Sequence, residues 1–226
     1  MGELFATYNI LGAFWTTIQL TLFSAIGSLV LGTILAIMRV SPAASLRAVG
    51  TIYVDILRNT PLTLIILGAS LGLWGQLGVV LAQPGSPGFI ATNGFRLAVL
   101  GLSVYHAAFV CEAIRSGVNT VPLGQAEAAR SIGLTFGQSM SHVVLPQAFR
   151  GAIAPLGNTL IALTKNTTVA QAAGVVQASS VMYTMIEFRP DLMVEIFLII
   201  ALGFVAIVLP LGMLSTWASR RLKVVR

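Results

Sequence analysis

The sequence predicts an all-α integral membrane protein of about five transmembrane helices, on three observations. Of its 226 residues, 56% are hydrophobic and 9% are charged, with mean hydropathy +0.90. A soluble domain covers its surface with roughly 25% charged residues, so most of this surface meets lipid. Second, residues 4–38, 59–95 and 196–219 contain no Asp, Glu, Lys or Arg. Each run supplies the ~20 apolar residues that cross a ~30 Å hydrocarbon core, where one charge costs about 3 kcal/mol even on insertion scales. Third, Lys and Arg fall asymmetrically about the spans, as the positive-inside rule requires.

The expected spans are residues 12–38, 58–82, 95–115, 148–170 and 192–218. The first opens at Phe14-Trp15, an aromatic pair suited to the membrane interface, and closes at Arg39. Ser41 to Asp55 has an uneven apolar pattern around Arg47 and reads as a short interfacial helix. Gln83-Pro84-Gly85-Ser86-Pro87-Gly88 is a loop by its turn chemistry. The fourth span is polar, with Asn158, Thr159, Thr164, Lys165, Asn166 and Thr167; such residues at membrane depth face a bundle interior or a water-filled path. Thr168 to Ser180, rich in Ala, Gly and Gln, reads as a re-entrant or outer gating segment.

Five spans put the termini on opposite sides. Arg39, Arg47, Arg58, Arg115, Arg130, Arg150, Arg220, Arg221, Lys223 and Arg226 then share one side, with Arg96, Lys165 and Arg189 elsewhere. The N-terminus is accordingly expected outside, the C-terminus in the cytoplasm, and residues 116–147 in a cytoplasmic loop. The N-terminus lacks a positive n-region, so the first apolar run is read as a retained span, not a signal peptide. The net charge of +6 belongs to this asymmetry; nothing interleaves basic and aromatic residues in the manner of a nucleic-acid groove. The single cysteine, Cys111, excludes a disulfide framework and reads as a small buried hydrophobe. Two histidines without clustered carboxylates give no metal site, and the absence of Gly-x-x-x-x-Gly-Lys-(Ser/Thr) leaves no nucleotide site.

In the cytoplasmic loop, Glu127 to Gly133 fits a short helix stopped by glycine, and Thr135 to Gln138 has capping-box spacing that starts a second. The run Gly124-Gln-Ala-Glu127-Ala128-Ala129-Arg130-Ser-Ile-Gly133, nine residues, then Val143-Val-Leu145-Pro146, resembles the EAA loop of ABC importer permeases. The match to Glu-Ala-Ala, three residues, Gly, nine residues, Ile-x-Leu-Pro departs only at Val143. The resemblance implies that this loop docks into a separate ATPase. Small Ala128 and Ala129 would let the helix lie in a groove of that partner, Glu127 would dock or pair with Arg130, Gly133 would turn the chain, and Pro146 would fix where the next span begins.

Three further segments narrow the resemblance to the polar amino acid uptake branch. They are Tyr53-Val-Asp-Ile-Leu-Arg58-Asn-Thr60-Pro61-Leu, Ala108-Phe-Val-Cys-Glu112-Ala-Ile-Arg115-Ser-Gly117 and Leu163-Thr-Lys165-Asn166-Thr167-Thr168. The chain looks most like the glutamate-type permeases. It departs from many relatives at Tyr105-His106-Ala107-Ala108-Phe109, in a span that lines the translocation path in that family. The resemblance implies one permease domain over 1–226, a type I ABC importer transmembrane domain carrying no cofactor of its own. ATP and Mg belong to the partner ATPase; a second permease, related or identical, and an extracytoplasmic binding protein complete the assembly in a bacterial cell membrane.

Outside the loop, His106 reads either as a core histidine or as a substrate or gating contact. Lys165, with Asn158 and Thr159 one to two turns earlier, either binds a substrate carboxylate or snorkels to the outer interface; Asn166 joins that candidate path. Arg96 is an interfacial anchor or an attractor of anions. Glu112 and Arg115, three apart on one helix face, can pair; the resemblance puts them near the inner end of the span, where they read as a structural clasp, Arg58 included, rather than a substrate contact. Gly68-x-x-x-Gly72 is a helix-packing signal. Two other classes compete: a secondary amino acid transporter or channel subunit without ATPase, for which no internal repeat is found, and an intramembrane enzyme, for which His106 has no evident nucleophile partner.

Overall fold

In the computed structural model, residues 7–221 are described; Lys223 and Arg226, counted above on the basic side, lie outside them. The described residues are helical with no strand. α1 spans Ile10–Val40, α2 Ala44–Asn59 and α3 Leu62–Leu67, the last running on as a π-helix over Gly68–Gln76. α4 spans Phe89–Val118 and α5 Leu123–Ser131. α6, Phe136–Ser139, continues through a π stretch, Met140–Val144, into α7, Leu145–Asn166. A 3-10 turn, Thr167–Ala173, precedes α8, Ala178–Phe188, and α9, Met193–Arg221.

α1, α4 and α9 are long and apolar enough to cross a membrane, and α2 with Leu62–Gln76 makes a fourth if that pair is one broken span. The expected fourth span, α7, is 22 residues long, about 33 Å, and carries the polar residues that keep it out of that apolar set. The interfacial helix expected over 41–55 is α2, with Gly50 and Val54 buried on one face. Hydroxyls inside α1 turn back onto their own helix: Thr17 donates to Ala13 O at 3.1 Å and Thr21 to Thr17 O at 2.9 Å. They are thereby satisfied without water. Trp15 is exposed, as an interface residue should be, whereas Phe14 packs edge-on against Phe204 at 5.7 Å.

The second span is shorter than expected. Its helix ends at Gln76, and Gly78 at φ +66° turns the chain out of helical geometry. From Leu62 that leaves 15 residues, about 22 Å, short of the hydrocarbon thickness. The next span holds the unwound backbone that follows. Buried Asn93 accepts from the N–H groups of Leu81 (2.7 Å) and Ala82 (3.2 Å), and the Arg96 guanidinium donates to Leu81 O. Arg96 is therefore a backbone clamp. The segment over 168–180 is not a plain helix either: Gly174 at φ +73° separates the 3-10 turn from α8.

The chain divides into two compact units, one comprising residues 7–27, Thr60–Ser103 and Ala162–Pro210, the other Ser28–Asn59, Val104–Ile161 and 211–221. In the first, Ile10, Met185, Ile196 and Ile200 form an apolar core. In the second, Leu35, Val54, Ala107, Ala108, Cys111 and Ile114 do so. Small residues set the helix spacing there. A Cβ on Gly32 would lie 2.8 Å from Ala107 O, and one on Gly117 would overlap the Ala148 carbonyl. Gly68 and Gly72 face open space, so the packing signal read from their spacing finds no partner helix among the described residues.

These contacts separate the glycines by consequence. Gly117→Val should abolish a folded, detergent-stable permease, because the backbone it meets has no rotamer to move. Gly72→Ala should leave the melting temperature unchanged or raise it, by up to about 1 kcal/mol of helix propensity. Thermal unfolding of the two purified variants checks both.

Candidate functional site: the Glu112 cluster and the 119–147 loop

At the end of α4 that leads into the loop, one carboxylate collects three guanidinium groups. Glu112 Oε1 pairs closely with Arg39 from the end of α1, with Arg115 one turn along α4 at 3.4 Å, and with Arg58 from the end of α2 at 3.8 Å. The expected clasp of Arg58, Glu112 and Arg115 is present, and its tightest member is Arg39, which sequence reasoning left among the interface charges. Arg39 reaches inward because α2 carries glycine where it crosses: a Cβ on Gly50 would meet Arg39 Cγ at 2.8 Å. The Arg39 side chain is 11% exposed and that of Arg58 47%, with Arg58 also stacked 5.8 Å over the Phe109 ring. Tyr53 ties the same α2 to α4 by donating to Val104 O at 2.8 Å. Removing the carboxylate would leave three like charges facing one another.

Beyond the cluster the chain leaves α4 at Val118 and enters α5. Gly133 at φ +86° ends it, its N–H donating to Arg130 O (2.9 Å) and that of Leu134 to Ala129 O (3.1 Å), which satisfies the last carbonyls of the helix. Thr135 then forms a reciprocal capping box with Gln138. Helix, glycine stop and second start thus follow the local signals. Pro146 does not begin a separate span: helical chain runs from Phe136 through to Asn166. A proline at 146 has no N–H for the carbonyl four residues back, and the preceding turn widens, with Leu145 N–H reaching Met140 O.

Gly124, Glu127, Ala128, Arg130 and Pro146 are exposed and Leu145 is half-buried. Ala129 is 3% exposed and packs inside the chain, so of the two alanines only Ala128 is available to a groove outside. Glu127 and Arg130 form no ion pair with one another among the described residues. Two residues that sequence reasoning passed over complete this surface. Leu123 and Ile132, at the two ends of α5, are 82% and 79% exposed. Their signal was present as large apolar residues in a loop assigned to water.

The candidate path residues are placed as follows. His106 is 1% exposed, with the Tyr105 ring 5.1 Å and the Phe109 ring 6.1 Å away, the position of a core histidine. Thr159 donates its hydroxyl to Pro155 O at 3.0 Å. Asn158 and Lys165 are both exposed on α7, seven residues and about two turns apart, and Asn166 is half-buried at its end.

Long apolar helices, unwound segments held by buried side chains and a short exposed helix in the loop that follows α4 are features of a membrane transport subunit. Residues 28–224 match the family described as binding-protein-dependent transport system inner membrane component, and the chain belongs to that family. It is 55% identical over 205 residues to the glutamate transport system permease protein GluC of Corynebacterium efficiens, covering 91% of this chain and 90% of that one. It is 34% identical over 212 residues to a probable glutamine ABC transporter permease protein of Bacillus subtilis, covering 93% and 91%. Among solved structures it superimposes on a chain of an amino acid ABC transporter crystallised with histidines, at TM-score 0.76 and 27% identity over 94% of this chain and 93% of that one. It shares its fold with a chain of the MetNI methionine ABC transporter, at TM-score 0.75 and 19% identity over 95% and 96%.

The cluster makes a graded prediction. Glu112→Ala should destabilise the permease by about 2 kcal/mol, between the values of exposed and buried ion pairs. Arg58→Ala, which removes the longest and most exposed contact, should cost under about 1 kcal/mol. Melting temperatures in one detergent, compared at low and high salt, test the order.

Proposed function

We propose that this chain is the permease subunit of an ATP-driven importer of polar amino acids, with glutamate or a close relative as substrate. It would be driven through the Gly124 to Pro146 loop by a separate ATPase that holds ATP and Mg. The observation that carries the reading is the apolar surface exposed at the two ends of α5. Leu123 opens the helix and Ile132 caps it just before its glycine stop, both large, apolar and exposed, with exposed Glu127 and Ala128 between them. Left in water, such a face costs about 1.5–3 kcal/mol per large side chain relative to burial, which an ATPase groove would recover. The substrate assignment rests on the relatives at 52–55% identity named for glutamate transport. In this reading the loop and C-terminus are cytoplasmic and the N-terminus is outside. A second permease completes the pore, an extracytoplasmic binding protein delivers the amino acid, and closure of the ATPase dimer moves α5 and through it the spans.

Leu123→Asp with Ile132→Asp should leave membrane insertion intact and weaken ATPase association roughly a hundredfold, about 3 kcal/mol. Co-purification of the ATPase and ATP-dependent glutamate uptake in proteoliposomes measure the two consequences. Unchanged association would remove α5 as the docking surface. Uptake that persists without ATP and collapses with an ionophore would replace the importer by a secondary transporter.

A further inference from the structure

A cavity of about 540 Å³ runs along α1 from Asn9 to Phe23, walled on its other sides by the start of α4 and by the segment from Val175 to Val181. Three contacts hold these walls. The Ala178 N–H donates to Thr17 Oγ1 at 3.3 Å. Gly94 lies so close to the 3-10 turn that a Cβ there would meet Ala173 O at 2.7 Å, and Phe23 and Phe95 meet edge-on at 6.2 Å. The two ends of the cavity differ in chemistry. At the N-terminal end of α1 stand the Tyr8 and Thr92 hydroxyls and the Asn9 carboxamide. Asn9 Oδ1 accepts from the Gly12 N–H at 2.9 Å, a cap on the helix that leaves the Asn9 amide N–H groups as donors. At the other end the lining is Phe23, Phe95 and valine. Between them is the Gln19 carboxamide, half-buried and without a hydrogen bond among the described residues, whereas the Thr16 hydroxyl is satisfied by Gly12 O at 3.1 Å. No Asp, Glu, Lys or Arg lines the cavity.

We propose that this cavity seats one glycerophospholipid from the leaflet at the N-terminal end of α1, with an acyl chain lying on the valines and the Phe23–Phe95 pair. Width decides between a lipid and a helix of another subunit. Asn9 to Phe23 is about 21 Å of helix, and spread over that length the cavity is about 5–6 Å across. A second helix with its side chains needs about 10–12 Å; a single hydrocarbon chain enters. The depths agree with this occupant. Trp15, 60% exposed, marks the membrane interface. Gln19 is one turn deeper, about 6 Å, at the level of the glycerol esters, whose carbonyls accept from its amide. Hydrocarbon alone would leave that amide unbonded. Tyr8, Asn9 and Thr92 fall in the headgroup layer, where donors suit phosphate oxygens, which only accept. The acyl chain covers Phe23 and Val176, 49% and 66% exposed, and beside Phe23 the surface of α1 continues as exposed Leu22 and Ile26. Because the lining holds no charge, the seat takes zwitterionic and anionic headgroups alike.

Photolabelling of the complete transporter tests the seat. The transporter is reconstituted into phosphatidylcholine vesicles doped with a phosphatidylcholine that carries a diazirine midway along one acyl chain, and labelled residues are quantified. Label on Phe23, Phe95 and Val176 should exceed several-fold that on Leu202 and Leu209, exposed apolar residues of α9 that line no cavity. Thr16→Trp, which fills the cavity, should bring that label down to the α9 level. Gln19→Leu, which keeps the volume and removes the amide, should lower it about fivefold, one neutral hydrogen bond. Phosphatidylglycerol vesicles with the matching probe should give the same pattern. Label in the cavity no greater than on α9, or unmoved by Gln19→Leu in a folded transporter, overturns the lipid seat. So does a Gln19→Cys transporter that crosslinks to the second permease, which would assign the cavity to a partner's helix. A several-fold preference for phosphatidylglycerol overturns the charge-indifferent headgroup contact.

Discussion

A backbone amide carried to membrane depth must find its partner inside the protein, and the irregular parts of this chain are organised around that demand. Three of them interrupt helices that would satisfy it automatically. After Gln76 the unwound segment is met by the Asn93 carboxamide and the Arg96 guanidinium. Before Pro146 the missing donor is absorbed by a widened turn. After Asn166 a 3-10 turn and Gly174 reverse the chain, and Gln177 takes up the backbone on both sides of it. Each interruption is thus paired with a buried side chain or an altered turn.

The charged residues follow a related logic. A carboxylate near the membrane boundary is costly alone, and Glu112 is surrounded by guanidinium groups from α1, α2 and α4. The cluster ties the end of the first span, the interfacial helix and the last turns of α4 together immediately before the chain enters the loop. In the proposed coupling, movement imposed on α5 would reach a joint of three helices. Ala129, packed inside the chain, connects α5 to its own scaffold, while Leu123 and Ile132 stand exposed.

What the sequence made legible was what short-range chemistry decides. Gly133 and the Thr135–Gln138 box were readable because a helix stop and a capping box involve residues within four positions of each other. The charge-free runs over 4–38 and 196–219 placed α1 and α9 because membrane insertion responds to composition, whereas the run over 59–95 holds the short α3, its π continuation and the unwound segment after Gln76. Errors arose where the deciding partner is distant or the local rule has two outcomes. Arg39 pairs with a residue 73 positions away, which no spacing announces. Pro146 could start a helix or widen a turn, and helical residues already in place upstream settled it. Gly68 and Gly72 have the spacing of a packing motif but face open space in this chain. Ala128 and Ala129 look equivalent in sequence, and the 100° between successive helical side chains sends one outward and the other inward.

Charged and neutral polar groups serve this chain in different ways. In one compact unit Glu112 gathers Arg39, Arg58 and Arg115 from three helices. Removing one partner of such a cluster leaves like charges facing one another, so the helices it joins stand or fall together. In the other unit the irregular turn after Asn166 is held by neutral groups alone, with Gln177 and Ser179 bonded to each other and to the Thr168 carbonyl. Each of those bonds is worth about 1 kcal/mol net, and together they fix a short turn that no ion pair holds. The strong contact joins whole helices, and the several weak ones shape a single reversal of the chain.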